Sequence, residues 1–554
     1  MPFDEDKVTN YNPLHKDVGI VPEKRVSKYI EKISNNKYVF EDNSGNVKTC
    51  FKKFITLVDY VKYLIGKYKP EETLKLPSEN YNNVTKYDTY INSKHNYAYV
   101  DGYFYFLTSK LLDAGFVHGL EYYDNYICIT NNCELNIADD FDYLSESPFF
   151  TENNNKLFKF KDNNFDTIFN KNEPVVITNE EVELVTEELE ELVELVLEKN
   201  TVKKVSKETI TDDKVTKYDV KIEDVKNEDL ESEEILEETY HQRESIISND
   251  SDHSTVDLSD EEPEVLLEFD ELNQTIDKTD EDEEWETEDE EGSTESFNND
   301  EINNLTLIIN KIPTQVISIE CCESTFDSLL EENNLRIEEL ESAMFQVIAM
   351  LYLYQQTFKF THNDLHTNNI MFISTKEEFL YYKILGKYYK VPTYGKIYKI
   401  IDFGRSIYTV NNVLLCSDSF SENGTANTQY NFQPFYNPEK PVIEPNYSFD
   451  LCRLACSMVD FIVDDIRDLQ DYRDTVPVYD LIISWLYDDN GVNILYKKNG
   501  NERYPDFKLY KMIARIVHNH TPENQFKHVC FKKFETNKLE KCMDLELIKN
   551  QVHL

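Results

Sequence analysis

His362-Asn363-Asp364-Leu365-His366-Thr367-Asn368-Asn369, with Asp402-Phe403-Gly404 further along, is the stretch that decides how this chain folds. Asp364 and Asn369 stand five positions apart, and Asp402 follows the apolar run 397–401, which reads as a strand. Another short strand, 370–373, opens directly after Asn369, and the helical period of residues 337–356 feeds toward His362 from the other side. A D-F-G tripeptide alone arises often by chance. Its order behind the first motif, its strand context and the flanking helix carry the signal together. Two carboxylates and an amide are thereby expected to converge, with His362 packing beneath the loop as a structural residue.

Around this stretch the text is mixed. Residues 37–143 read as an α/β block, with strands at 38–40 and 49–55, a helix at 59–68 and a helical period over 99–112. Residues 116–129 read as two short strands joined near Asp124-Asn125. Past Leu305 come a strand at 314–320 and, after Tyr447, helices at 449–462 and 507–517. Between the two motifs, the Tyr- and Lys-rich residues 376–396 suggest an extended hairpin.

The 554 residues include 106 acidic and 57 basic side chains, a formal net charge of −49. That acidity is local: residues 181–300 hold 45 acids and 10 bases, and the remainder is net −14. Acidic runs and sparse aromatics leave too little apolar surface to offset ordering entropy, so residues 148–304 are expected to form a long disordered acidic insertion. Within it, Val182, Val185, Leu189, Leu192, Val193 and Val196 share one helical stripe, a transient amphipathic helix or a partner-docking one. Ser248, Ser251 and Ser259 sit beside acids and read as acceptors for acid-directed phosphorylation. A basic protein is the partner such a segment suits. Nowhere do basic and aromatic residues gather as a nucleic-acid platform, so direct nucleic-acid binding is not expected. The ten cysteines include no C-x-x-C pair, which points to reduced thiols and no structural metal. The best apolar run, 344–354, is too short to span a bilayer, so a soluble intracellular protein is expected.

Phosphoryl transfer needs a carboxylate to accept the attacking hydroxyl's proton and metal ions to neutralise the phosphates. Asp364, Asn369 and Asp402 have the types, order and spacing for that chemistry. On these motifs the chain resembles the eukaryotic-type protein kinase superfamily, as a divergent member with an atypical, haspin-like catalytic loop. It is also similar to kinase-like proteins of large DNA viruses. The match takes in most of the sequence outside the insertion.

The resemblance implies an α+β, bilobal protein-kinase-like fold. Its small β-rich N-lobe would comprise residues 1–147 and, beyond the insertion at 148–304, a last strand and hinge at 305–322; residues 323–554 would form a mainly α-helical C-lobe. It implies ATP and Mg2+ as cofactors, Asp364 as catalytic base, and Asn369 and Asp402 as metal ligands. Ile319 would lie near the gatekeeper position, with Glu320 and Cys322 facing adenine. Asp450 would hold the loop's backbone from the next helix, and Asn437-Pro438-Glu439 stands where the family has Ala-Pro-Glu. For the phosphate-contacting lysine the choice is Lys53, with Lys52 open because five residues of alternation do not say which face points inward. Asp101 is the well-placed candidate for the helix acid that pairs with it.

The departures are specific. No two glycines are separated by one residue, so a G-x-G-x-x-G phosphate cover cannot exist, and only Gly45 lies in the right neighbourhood. Asn363 replaces the Arg before the catalytic Asp, which removes the usual partner of a phosphorylated activation segment. His366 stands where serine/threonine kinases have Lys. The resulting expectation is a serine/threonine protein kinase of atypical type. The alternatives are an inactive pseudokinase serving as a binding module, and a small-molecule kinase.

Overall fold

The computed structural model describes residues 3–69, 72–79, 85–138, 140–161, 305–332, 335–463, 465–497 and 499–552. Packing divides the chain into two units, Met1–Lys159 with Leu307–Leu554, and Phe160–Thr306; the first holds nearly all of the described elements. The amphipathic stripe at 180–198, the acid-flanked serines and nearly all of the expected insertion fall outside the described residues.

Alternating and β-branched text becomes strands β1 (Phe3–Thr9), β2 (Val26–Lys32), β3 (Lys37–Asp42), β4 (Val47–Thr56), β5 (Tyr122–Asn136), β6 (Phe158–Phe160) and, beyond the acidic block, β7 (Thr306–Glu320). They form a curled antiparallel sheet whose main path runs β1-β5-β7-β4-β3-β2. Interspersed are the helices α1 (Pro13–Val18), α2 (Tyr60–Leu64), α3 (Lys86–Ile91), α4 (Tyr97–Asp113), α5 (Phe141–Ser145) and α6 (Pro148–Asn153). Structure therefore continues past Pro148, where the sequence reading begins the insertion.

Helix α4 is buried along most of its length and packs on the sheet. Gly102 allows that approach: a Cβ there would lie 1.8 Å from Gln315 Nε2 and 3.0 Å from Ile317 Cδ1. The expected pair of strands within 116–129 is a single strand, β5, running unbroken through Asp124-Asn125. Residues on both its faces are buried, which erases the alternation that marks a strand from outside.

The rest is mainly helical: α7 (Phe326–Glu331), α8 (Ile337–Phe358), α9 (Phe449–Ile462), α10 (Leu469–Thr475), α11 (Pro477–Ser484) and α12 (Phe507–Ile516). Helix α8 is buried on every side from Leu340 through Gln355 and sits in the core, with Ala343, Met344, Val347, Ile348 and Leu351 fully buried. Burial of a Leu or Ile side chain is worth about 1.5–3 kcal/mol, so α8 is a main anchor of this half.

Strand β8 (Ser324–Thr325) pairs with β9 (Ile370–Ser374), and β9 pairs antiparallel with β12 (Lys396–Ile400), which sets Ile370 opposite Ile400. Between them, β10 (Phe379–Ile384) and β11 (Lys387–Pro392) form the hairpin expected at 376–396. β13 (Ile407–Val410) and β14 (Val413–Cys416) form another hairpin just beyond Gly404. Among the described residues no helix is long and apolar enough to cross a membrane.

Candidate active site

The pleat of β4 decides between the two lysines. Lys53 Nζ reaches Asp101 Oδ2 at 2.9 Å and Asp402 Oδ1 at 2.8 Å. Lys52 points to the opposite face, where it is 4% exposed among tyrosine rings. Asp101, one methylene shorter than a Glu, reaches because α4 lies so close to the sheet. Its Oδ1 also accepts the Phe403 N–H at 2.6 Å, so one buried carboxylate grips both the lysine and the D-F-G backbone. Tyr105, one turn along α4, accepts the Asp402 N–H on its hydroxyl at 2.9 Å. Phe403 is fully buried against Phe104, Tyr105 and Phe360.

Charge is shared unevenly here. Burial pushes the Asp101 carboxyl up, against the pull of Lys53. The Lys53 ammonium holds Asp402 below the usual carboxylate range. Burial disfavours the Lys53 charge, but Asp101 and Asp402 outweigh it, and its pKa lies well above the ordinary lysine value. Lys53 thus stays charged through any physiological pH.

The loop opposite is tied down from beneath. Asp450, fully buried at the start of α9, accepts the His362 N–H on Oδ2 and the Asn363 N–H on Oδ1, both at 2.9 Å, as expected. His362 is buried and structural: Nε2 donates to the Ile401 carbonyl at 2.9 Å and Nδ1 accepts the Asp364 N–H at 3.3 Å. Asn363 lies in the left-handed region at φ 64°, as does Asp402 at φ 63°, a conformation Asn and Asp adopt more readily than most residues. Asn363 Nδ2 donates to the Arg405 carbonyl at 2.9 Å, and its Oδ1 accepts the Tyr430 hydroxyl at 2.7 Å.

Asn369 spends its amide nitrogen on the Asp364 carbonyl (2.9 Å) and His366 Nε2 (3.1 Å), so Oδ1 is the atom left for a ligand. The Ile401 N–H donates to the Asn369 carbonyl at 2.9 Å, which sets Asp402 beside it. One amide oxygen and one carboxylate are hard donors of the kind Mg2+ prefers. Among the described residues no group of three His, Cys, Asp or Glu could hold a metal ion. Burial lowers the pKa of His366, which therefore stands neutral beside Asn369.

Several neighbours lie beyond sequence reasoning. The Tyr510 hydroxyl, from α12, donates to Asp364 Oδ1 at 2.8 Å and accepts from Arg453 Nε at 2.9 Å. Arg405 Nη1 lies 3.7 Å from Asp364 Oδ2. Nothing local in the chain marks Tyr510, since 146 positions separate it from Asp364.

One expectation is corrected. Gly45 is not near the lysine: it closes the β3–β4 turn at the far end of β4. The turn beside Lys53 is 33–36, where the Lys52 N–H donates to the Asn36 carbonyl at 2.7 Å, and it holds no glycine. Glu439 is exposed and forms no ion pair among the described residues, so Asn437-Pro438-Glu439 supplies a turn, held by Asn431, and no buried charge pair. At the end of β7, Ile319 is buried opposite Phe51. The Glu320 carboxylate turns to Lys399 Nζ at 3.1 Å and its N–H donates to the Glu121 carbonyl, so what Glu320 can offer a ligand is its backbone carbonyl. Cys322 is half-buried against the core. No protein-family model matches this chain, and a search of curated proteins finds no match.

Proposed function

We propose that this chain is an ATP- and Mg2+-dependent phosphotransferase of the protein-kinase type, acting on serine or threonine in protein substrates. The observation that carries the reading is Lys53 held between Asp101 and Asp402, facing a loop that presents Asp364 and Asn369. On this reading the curled sheet with α4 is the smaller lobe, α7–α12 belong to the larger, and residues 320–322 are the hinge beside adenine.

In the reaction, the acceptor hydroxyl gives its proton to Asp364 as its oxygen bonds to the γ-phosphorus. The bond from that phosphorus to the β–γ bridging oxygen breaks, and ADP leaves. Lys53 orients the phosphates, and Asn369 and Asp402 would hold a magnesium ion, which would supply positive charge against the phosphates. The turn at 33–36 would cover the phosphates without the close backbone approach that glycine allows.

The second reading is a kinase-shaped binding module, favoured by that same turn and by Tyr510 resting on Asp364. Transfer of labelled γ-phosphate from ATP with Mg2+ to a mixed protein substrate separates the two. Asp364→Ala and Asp402→Ala should each lower the rate by on the order of 10²-fold or more. Equal background in wild type and both variants would favour the binding module.

A further inference from the structure

Beyond Gly404 the chain runs through β13 and β14 and arrives at the N-terminus of α4, the helix that carries Asp101. Three contacts fasten it there. The Cys416 carbonyl meets His95 Nδ1 at 2.9 Å, and the Asp418 N–H donates to the His95 carbonyl at 2.7 Å. Asp418 Oδ1 accepts the N–H of Tyr97, the first residue of α4, at 3.0 Å. The helix's own cap, Asn96, serves the Ala98 N–H instead, so Asp418 satisfies a donor the cap leaves open and sets a negative charge at the positive end of the helix. Asp101 lies four residues into the same helix.

The other end of this segment is also held without a phosphate. Tyr430 bonds to Asn363, the residue standing where an arginine would meet a phosphorylated segment. The hydroxyls nearest Asp418 are spent locally: Ser417 is fully buried and bonded to Ser419, and Ser421 donates to the Asp418 carbonyl.

We propose that Asp418 is a positioning residue: its built-in carboxylate locks the segment after Asp402-Phe403-Gly404 onto α4, and so holds Asp101 on Lys53 without any phosphate being added to that segment. The inference rests on the phosphotransferase reading above. Asp418 Oδ2 is buried, and the carboxylate's partners are the Tyr97 N–H and the Tyr90 hydroxyl. The groups facing it are Asp59, Lys62, His95 and the phenols of Tyr68, Tyr90 and Tyr97. Burial pushes its carboxyl up to about 7, with the Tyr97 N–H, Tyr90 and Lys62 pulling the other way.

A raised carboxyl pKa means the folded protein holds the proton more tightly than the unfolded chain. Its contribution to stability is full at low pH and is lost as pH rises through about 7. Positioning needs the ionised form, so activity and stability move in opposite directions across that pH.

The test uses full-length protein treated with phosphatase, assayed from pH 5.5 to 9 beside Asp418→Asn, Asp418→Ala and Asp364→Ala. Phosphate-free wild type should be active. Asp418→Ala should lose about fivefold or more in kcat, by the worth of a helix cap, with the KM for protein substrate unchanged. Asp418→Asn should lose the inflection near neutral pH and melt at a higher temperature than wild type at pH 8. Wild-type kcat and pH profile in Asp418→Ala, or wild type that works only once phosphorylated, would overturn the proposal. If wild type equals Asp364→Ala, the phosphotransferase reading itself fails. Amide hydrogen exchange over residues 97–101 then still decides: about fivefold faster exchange in Asp418→Ala supports positioning, and unchanged exchange removes it.

Discussion

The two faces of β4 treat adjacent lysines in opposite ways. Lys52 Nζ lies 3.5 Å from the Tyr29 ring centre and 4.5 Å from that of Tyr38, with the Tyr126 hydroxyl at 3.3 Å. Burial pulls its pKa down to about 8, because ring faces and a hydroxyl compensate only partly for lost water. Lys53 gives up water too, but two carboxylates lie within 3 Å, and its charge is the more secure for it. Burial alone does not decide a lysine's state; the partner does. A lysine that must stay charged is given acids, and one that fills a sheet face is given rings.

The charged face is where this contrast is most open to challenge. Lys53→Met should lower phosphate transfer by on the order of 10²-fold, read as initial rates with ATP and Mg2+. A rate near wild type would mean that Lys53 is a scaffold residue. Asp101→Asn is gentler, since the amide still offers an oxygen to the Phe403 N–H; a loss of about tenfold, mostly in the KM for ATP, is expected from weaker holding of Lys53. The smallest effect on rate belongs to the other face. Lys52→Met should leave transfer within about twofold, because the side chain never approaches the site.

For Lys52 the informative variable is stability against pH. Its folded pKa lies below the ordinary lysine value of 10.5, so its contribution to stability is full above that value and is lost as pH falls through about 8. Lys52→Met should therefore melt above wild type at pH 7, with the gap closing toward pH 10.5. A lower melting temperature at pH 7 would show that the tyrosine rings stabilise the ammonium more than burial penalises it.

Local patterns are the legible ones. The spacing of Asp364 to Asn369, the strand before Asp402 and the apolar run within α8 each span a few turns or strand residues, and the chain displays them directly. The acid for Lys53 is found by position along α4, since a helix in that place offers one acid on the correct side. Other features are hidden for physical reasons. Asp124-Asn125 reads as a turn but lies inside β5, where Asp124 is buried and paired with Lys24 and Tyr29. Gly45 reads as a phosphate-loop residue because glycine is scarce. The pairing of Lys37 with Phe51 is what assigns the 33–36 turn to the lysine's end, and register is not visible in one strand. Tyr510, Arg453 and Asp418 meet their partners only after the helices and hairpins have packed.

The sheet order also bears on how this gene could have acquired its acidic block. β6 pairs with β7, and the Lys161 N–H donates to the Thr306 carbonyl at 2.9 Å. The described chain stops at Lys161 and resumes at Leu305, two backbone positions that a short connection could join. Closing a longer connection there costs little more, about 0.6 kcal/mol per doubling of length. The block can therefore lengthen, shorten or change composition between generations while the residues around Lys53 keep their register, which frees it to evolve at its own pace.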